Sequence, residues 1–104
     1  MKFLIQASYT ADGAKGVLQG GGSARRKAVE DTLSAVGGKI DSFHFCFGEH
    51  DVAIIADMPD HVAASAIALA VGASGAVRTK TTVLVTPEEV DQAAKLKINY
   101  RAPQ

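Results

Sequence analysis

Two strand-like segments that are separated by only three residues set the strongest constraint on how this chain can fold. Residues 39–47 alternate in polarity, with a phenylalanine at every second position towards their end, and residues 51–58 are almost wholly apolar. The Gly-Glu-His link at residues 48–50 is too short for the crossover that joins parallel strands, which takes a dozen or more residues. The two segments are therefore predicted to form an antiparallel hairpin.

Hydrophobic periodicity and capping signals place the remaining elements around this hairpin. The predicted elements, in chain order, are a strand at 3–9, a weak helical turn at 13–20, a helix from Ser23 to about Val36, the hairpin strands at 39–47 and 51–58, a helix at 62–73, a strand at 76–85, a short helix after Thr86 and a tail at 98–104. Ser23, Asp60 and Thr86 are the predicted N-caps, the last in a capping box with Glu89. The helix at 62–73 is expected to face the sheet with a stripe formed by Val62, Ala66, Leu69 and Ala73, which Ile67 and Val71 widen.

This order of elements is that of the split βαβ arrangement. It predicts a single α+β domain over residues 1–104, with a ferredoxin-like βαββαβ order, a four-stranded antiparallel sheet, two main helices on one face and extra short helices. Segments 3–9 and 51–58 are apolar on both faces by alternation, which would leave an apolar patch on the uncovered face. We therefore expect a homodimer or a higher homo-oligomer that packs sheet face against sheet face.

Composition excludes several classes of function. The chain holds 11 Lys+Arg and 11 Asp+Glu, a net charge of zero, which argues against a nucleic-acid-binding protein and against a polybasic membrane anchor. No apolar run reaches the roughly 18 residues of a membrane span, and the first ten residues turn polar too early for a signal peptide. The single cysteine, Cys46, cannot form an internal disulfide. These features predict a cytoplasmic protein without a nucleic-acid or membrane partner.

A tract of three glycines at 20–22 precedes Arg25 and Arg26 at the start of a predicted helix. Free amide groups and the helix dipole at such a point favour a bound anion. The spacing fits neither a phosphate-binding loop nor a dinucleotide-binding motif. The alternative interpretation is a flexible connector that is followed by two solvated arginines.

The hairpin carries most of the residue types that can do chemistry. His44 and Cys46 project from the same strand face, where a thiol and an imidazole could act as nucleophile and base, bind a metal or line a pocket. Strand geometry separates their Cα atoms by roughly 7 Å, which makes a direct hydrogen bond marginal. Glu49, His50 and Asp51 crowd the turn, where they could transfer protons or simply keep the turn solvated. No metal-ligand spacing is complete, so neither a metal nor a cofactor is predicted.

The last strand offers one further candidate. Arg78 lies within a run of threonines at 79, 81 and 82, and hydroxyl groups beside a guanidinium could take a carboxylate or a phosphate. The alternative is that threonine favours strands and that the charge protects a sheet edge.

Four segments, taken together and in order, resemble the GYD-domain family of small bacterial proteins. They are residues 20–26 (GGGSARR), residues 37–43, residues 47–51 (FGEHD) and parts of residues 75–89. The aromatic residue that is usual before the aspartate of the hairpin motif is His50 here. The resemblance implies a ferredoxin-like subunit of the dimeric α+β barrel group and no transferable activity, because that group includes oxygenases, haem-degrading enzymes, isomerase-like enzymes and ligand-binding modules.

We therefore predict a small oligomeric binding module that holds an anionic or aromatic small molecule between the sheet and a partner subunit. The residues predicted to bind it are Arg25, Arg26, His44, Cys46, Glu49, His50, Asp51 and Arg78. One alternative is a cofactor-independent enzyme of oxygenase or isomerase type that transfers protons through His44 or His50. Another is a structural assembly protein without a ligand.

Overall fold

The computed structural model describes all 104 residues and contains four strands and four helices. In chain order these are β1 (Lys2–Tyr9), α1 (Ala11–Gly20), α2 (Gly22–Ser34), β2 (Lys39–Phe45), β3 (Val52–Asp57), α3 (His61–Ala73), β4 (Val77–Leu84) and α4 (Pro87–Ala94). The predicted α+β fold class is confirmed. None of the four helices has both the length and the apolar character that a bilayer crossing requires.

All four strands belong to one antiparallel sheet in the order β2-β3-β1-β4. The hairpin pairing of β2 with β3 is confirmed, and it contains one irregularity in register between Ile40 and Ser42. The central strand β1 pairs with β3 on one side and with β4 on the other, and its ladder with β4 runs from Lys2 opposite Leu84 to Tyr9 opposite Val77. The position of β1 therefore fixes which residues of β3 and β4 share a face.

The core lies on one face of this sheet, between the strands and helices α2 and α3. Alternate residues of β1 and β3 are buried, as the two-residue period of a strand requires. Leu33 of α2 and Ala63 and Ala64 of α3 cover them. The eleven buried residues are Phe3, Ile5, Ala7, Leu33, Val52, Ile54, Ala56, Met58, Ala63, Ala64 and Val77.

The uncovered face is less apolar than the sequence predicts. In β1 the residues on this face are Lys2, Leu4, Gln6 and Ser8, so the expectation that β1 is apolar on both faces is wrong. Leu4 lies directly opposite Ile55 of β3, and the two are only partly buried. The apolar area on this face is therefore a small centre with polar residues along the rest of β1.

Helix α3 faces the sheet with only the edge of the predicted stripe, where Ile67 and Val71 pack against the core. Val62 and Leu69 belong to the stripe that was expected to point inwards, yet they are 76% and 75% exposed. The buried residues are Ala63 and Ala64, with Ile67 half-buried. Because α3 has apolar residues on most of its circumference, the period of its hydrophobic residues does not by itself identify the inner side.

The glycine tract separates two helices, where the sequence predicts a turn and one helix. Thr10 caps α1, which extends over ten residues. Gly21, at a φ of +83°, ends α1 and is the N-cap of α2, so the prediction that Ser23 caps this helix is wrong. The predicted caps at Asp60 and Thr86 are confirmed, the second as a complete capping box.

Two glycines of α1 are expected to respond oppositely to the same substitution. A Cβ on Gly13 would lie 2.1 Å from the carbonyl oxygen of Ala76, whereas a Cβ on Gly16 would meet nothing within 4 Å. Gly13→Ala should therefore lower the free energy of unfolding by about 1–3 kcal/mol, because α1 must move away from β4. Gly16→Ala should raise it by about 0.5–1 kcal/mol, because alanine favours a helix. Urea denaturation of both variants checks this, and equal effects would contradict the close approach of α1 to Ala76.

Candidate functional site

A small cleft lies between α2, α3 and the covered face of the sheet. Its volume is about 60 Å³, and nine of its thirteen lining residues are hydrophobic. The polar residues of the lining are Arg25, Thr32, Thr79 and Thr81. The cleft is therefore an apolar space with one cation and three hydroxyl groups.

Periodicity explains why these residues share the cleft. Arg25, Val29 and Thr32 are spaced by four and three residues, which puts them on the same side of α2. Thr79 and Thr81 lie opposite Ala7 and Ile5 of β1, on the covered face of the sheet. The threonines of β4 are thus aligned with the inner side of α2.

Arg25 is the unusual member of this group. Its Nε is the one buried side-chain nitrogen or oxygen in the protein that has no hydrogen-bond partner. None of the five ion pairs includes Arg25, and its guanidinium carbon lies over the Tyr9 ring at 5.8 Å from the ring centre, a cation–π contact that supplies no acceptor for Nε. A buried donor without a partner costs about 1–3 kcal/mol, so an acceptor at this point would be strongly favoured.

Arg25 is also accessible from outside the cleft. Together with Val77 it lines two larger hollows, of about 330 Å³ and about 370 Å³. The first is a groove between α1 and α2 whose lining includes Gly13, Gly16 and Asp12. A small molecule could therefore reach the guanidinium from solvent before it enters the cleft.

Arg26 has a different environment from its neighbour. Its Nε donates to Glu30 Oε1 at 3.1 Å on the exposed side of α2. Such an exposed pair contributes little to stability. The two arginines therefore lie in different environments, with Arg26 paired on the exposed side of α2 and Arg25 at the cleft.

Three other predicted site residues lie on or beside the uncovered face. His44 is opposite Ala53, and Arg78 is opposite Ser8. The Ser8 hydroxyl is 3.3 Å from His50 Nδ1, so Arg78, Ser8 and His50 meet at one end of this face. Arg78 takes part in none of the five ion pairs.

At the opposite end of the uncovered face, charged groups pair with one another. Asp57 accepts hydrogen bonds from the N-terminal amine at 3.1 Å and from Lys2 Nζ at 3.2 Å. The amine, and then Lys2, hold the pKa of Asp57 below its usual value. The hydrogen bond to Asp41 is the main cause of a raised pKa for Lys2. Lys2 on this face is therefore paired, whereas Arg78 and Lys80 of β4 take part in none of the five ion pairs.

The remaining hairpin residues hold the turn together. Cys46 Sγ donates to the carbonyl oxygen of His50 at 3.1 Å. The Asp51 carboxylate accepts from the backbone N–H of Tyr9 at 2.9 Å, which ties the turn to β1. Glu49 is exposed and forms no side-chain hydrogen bond. These contacts give Cys46 and Asp51 structural roles within the hairpin.

The end of β2 differs from the prediction. The strand ends at Phe45, and Phe47 has a φ of +49° and is 70% exposed. Its ring stacks on Phe45, with centroids 5.6 Å apart. No group of three or more His, Cys, Asp or Glu side chains is arranged to hold a metal ion.

A family model for the GYD domain matches residues 3–94. The chain belongs to the GYD domain family. The match covers all four helices and nearly all of the sheet, and it confirms the resemblance that the sequence shows. No match was found among curated proteins or among solved structures.

The structure of this GYD domain divides the predicted site residues into two groups. Arg25 lies on the covered side of the sheet, whereas His44, His50 and Arg78 lie on or beside the uncovered side. The threonine run of β4 is divided in the same way, because alternate residues face opposite sides. Sequence reasoning missed Val29 and Thr32, although their spacing from Arg25 along α2 is the helical one.

Replacing Arg25 is expected to stabilise the free GYD domain. Arg25→Met keeps the aliphatic length but removes the buried Nε that has no partner, so the free energy of unfolding should rise by about 1 kcal/mol. The control is Arg26→Met, which should change it by less than about 0.5 kcal/mol. Urea denaturation without added ligand measures both. A marked loss of stability in Arg25→Met would show that Arg25 stabilises the free fold, which would contradict a destabilising, unpartnered Nε.

Proposed function

We propose that this GYD domain binds a small organic anion, with the charged group on Arg25 and the apolar part in the cleft. The observation that carries the proposal is the buried Nε of Arg25, which lacks any acceptor within the chain. A carboxylate supplies two acceptor oxygens in the planar geometry that a guanidinium favours. Binding would therefore satisfy the one buried polar side-chain atom that the fold leaves without a partner.

The volume of the cleft supports a short aliphatic ligand over an aromatic one. A protein cavity of about 150 Å³ holds one benzene molecule. By the same measure, about 60 Å³ accommodates roughly two or three carbon atoms. Of the predicted anionic or aromatic molecules, the short anionic type fits better, and its place is between the sheet and the helices of the same subunit.

The lining of the cleft favours binding over proton transfer. It contains no histidine, cysteine, aspartate or glutamate. A general base must lie within hydrogen-bond reach of the proton that it removes, and His44 and His50 lie on or beside the other side of the sheet. The enzyme alternative therefore draws less support from this cleft than a binding module does.

We also propose that the domain is a homodimer that uses the uncovered face of the sheet. Leu4 and Ile55 form an apolar centre on this face, and polar side chains of β1 and β4 surround them. A second copy would remove this centre from water. The proposal concerns assembly alone and does not depend on the ligand at Arg25.

Propionate is the probe for the Arg25 site. We expect it to shift the amide signals of Val29, Val77 and Thr79 in ¹H–¹⁵N spectra, whereas neutral propionamide and the larger benzoate shift them much less. Arg25→Gln should weaken propionate binding tenfold or more, because a hydrogen bond to a charged group contributes about 1.5–3 kcal/mol. The matched control Arg26→Gln, with the same charge change one residue away, should bind like the natural protein. Equal binding of propionate by both variants would contradict the proposal.

Two variants, each with a single glutamate on a different surface, test the proposed homodimer. Light scattering should give a mass of at least twice the 10.8 kDa chain, and Ile55→Glu should raise the dissociation constant of the sheet-face contact at least tenfold, because the substitution places a charge in the apolar centre. Leu69→Glu, on the exposed side of α3, should leave it unchanged. A monomeric natural protein, or stronger dissociation in Leu69→Glu than in Ile55→Glu, would contradict the use of the uncovered face.

A further inference from the structure

The C-terminal arm, defined as residues 85–104, does not pack against its own domain. Every residue of the arm is exposed, including all eight residues of α4. The radius of gyration is 16.6 Å, whereas a compact chain of this length has one of about 13 Å. The molecule is elongated, with a longest extent of 55 Å. No other part of the single chain therefore covers the surface of the arm.

The arm nevertheless has an apolar composition that is typical of a buried segment. It exposes five large apolar side chains, namely Val85, Val90, Leu96, Ile98 and Tyr100, each by at least 52%. A complete capping box at Thr86 and Glu89 fixes the start of α4, although a helix of eight residues is only marginally stable alone in water. Val90 lies on α4 and the other four flank it, and such a group of exposed apolar side chains is typical of an interface.

Charge along the arm is arranged in two opposite halves. The first half carries Glu88, Glu89 and Asp91, and the second half carries Lys95, Lys97 and Arg101. None of the five ion pairs of the structure involves these residues. Two identical arms that run in opposite directions would bring the acidic half of each beside the basic half of the other.

We propose that the C-terminal arm pairs with the arm of a second copy of this chain, in antiparallel orientation about a two-fold axis. Such an isologous contact needs a surface that is complementary to itself, and the two charged halves provide it. Burial of the apolar side chains supplies affinity, since exposed ion pairs contribute little. The charges set the direction and exclude the parallel arrangement. This contact goes beyond the proposed ligand site and the uncovered sheet face, because it uses neither.

The test mixes two charge-reversed variants of the full chain, each of which also carries Ile55→Glu so that the proposed sheet-face contact does not contribute. E88K/D91K makes the first half basic and leaves the capping box intact, and K95E/K97E makes the second half acidic. Alone, each variant should self-associate at least tenfold more weakly than the Ile55→Glu chain with the natural arm. Mixed in equal amounts, they should form mixed pairs in clear excess over the statistical half in native mass spectra.

Controls on α2 separate arm pairing from attraction between net charges. E30K/D31K and R26E/K27E change the net charge by the same amounts on an exposed helix, and their mixture should give the statistical proportion of mixed pairs. The same excess in this control mixture, a statistical mixture of the arm variants, or unchanged self-association of each arm variant alone would overturn the proposal. So would a natural protein that stays monomeric at about 100 μM. The Ile55→Glu variant reports on the sheet face separately, so failure of either contact can be recognised.

Discussion

The ladder between β1 and β4 is the interaction on which the rest of the structure depends. It runs over all eight residues of β1 and places the inner residues of β4 beside the buried residues of β1. Val77, Thr79 and Thr81 consequently face the helices, and Arg78 faces the uncovered side. The close approach of Gly13 in α1 to Ala76, just before β4, brings the start of α2 and its Arg25 over the same strand. Both the cleft and the separation of the candidate residues into two groups follow from this register.

An uncompensated polar atom gives the cleft its chemical character. Most of the lining is aliphatic, which would suit an ordinary core, but the buried Nε of Arg25 makes this arrangement costly in the free protein. An organic anion that occupies the cleft would offset this cost. Ligand binding would therefore raise the stability of the domain. The exposed arginine beside it already pairs with Glu30 and offers no such gain.

Much of the fold could be predicted from the sequence, since short-range signals determine it. The short connection between the two strand segments predicted the hairpin, although this connection extends over residues 46–51 in the structure, and the caps at Asp60 and Thr86 predicted two helix starts. The inner side of α3 was predicted only in part, because the helix is almost wholly apolar and its two polar side chains, His61 and Ser65, are too few to define the solvent side. The site was predicted only in part, because the sequence offered Arg25 and the β4 threonines separately. Their meeting depends on the position of α2 over the sheet, which arises from long-range packing.

The most direct measurement is the NMR signal of the Arg25 Nε–H group during a titration with propionate. If the buried Nε lacks an acceptor in the free protein, its proton should shift downfield and exchange more slowly with water as propionate binds. The Arg26 Nε–H, which already donates to Glu30, should not change. An Arg25 signal that stays constant while propionate saturates elsewhere on the protein would contradict the account.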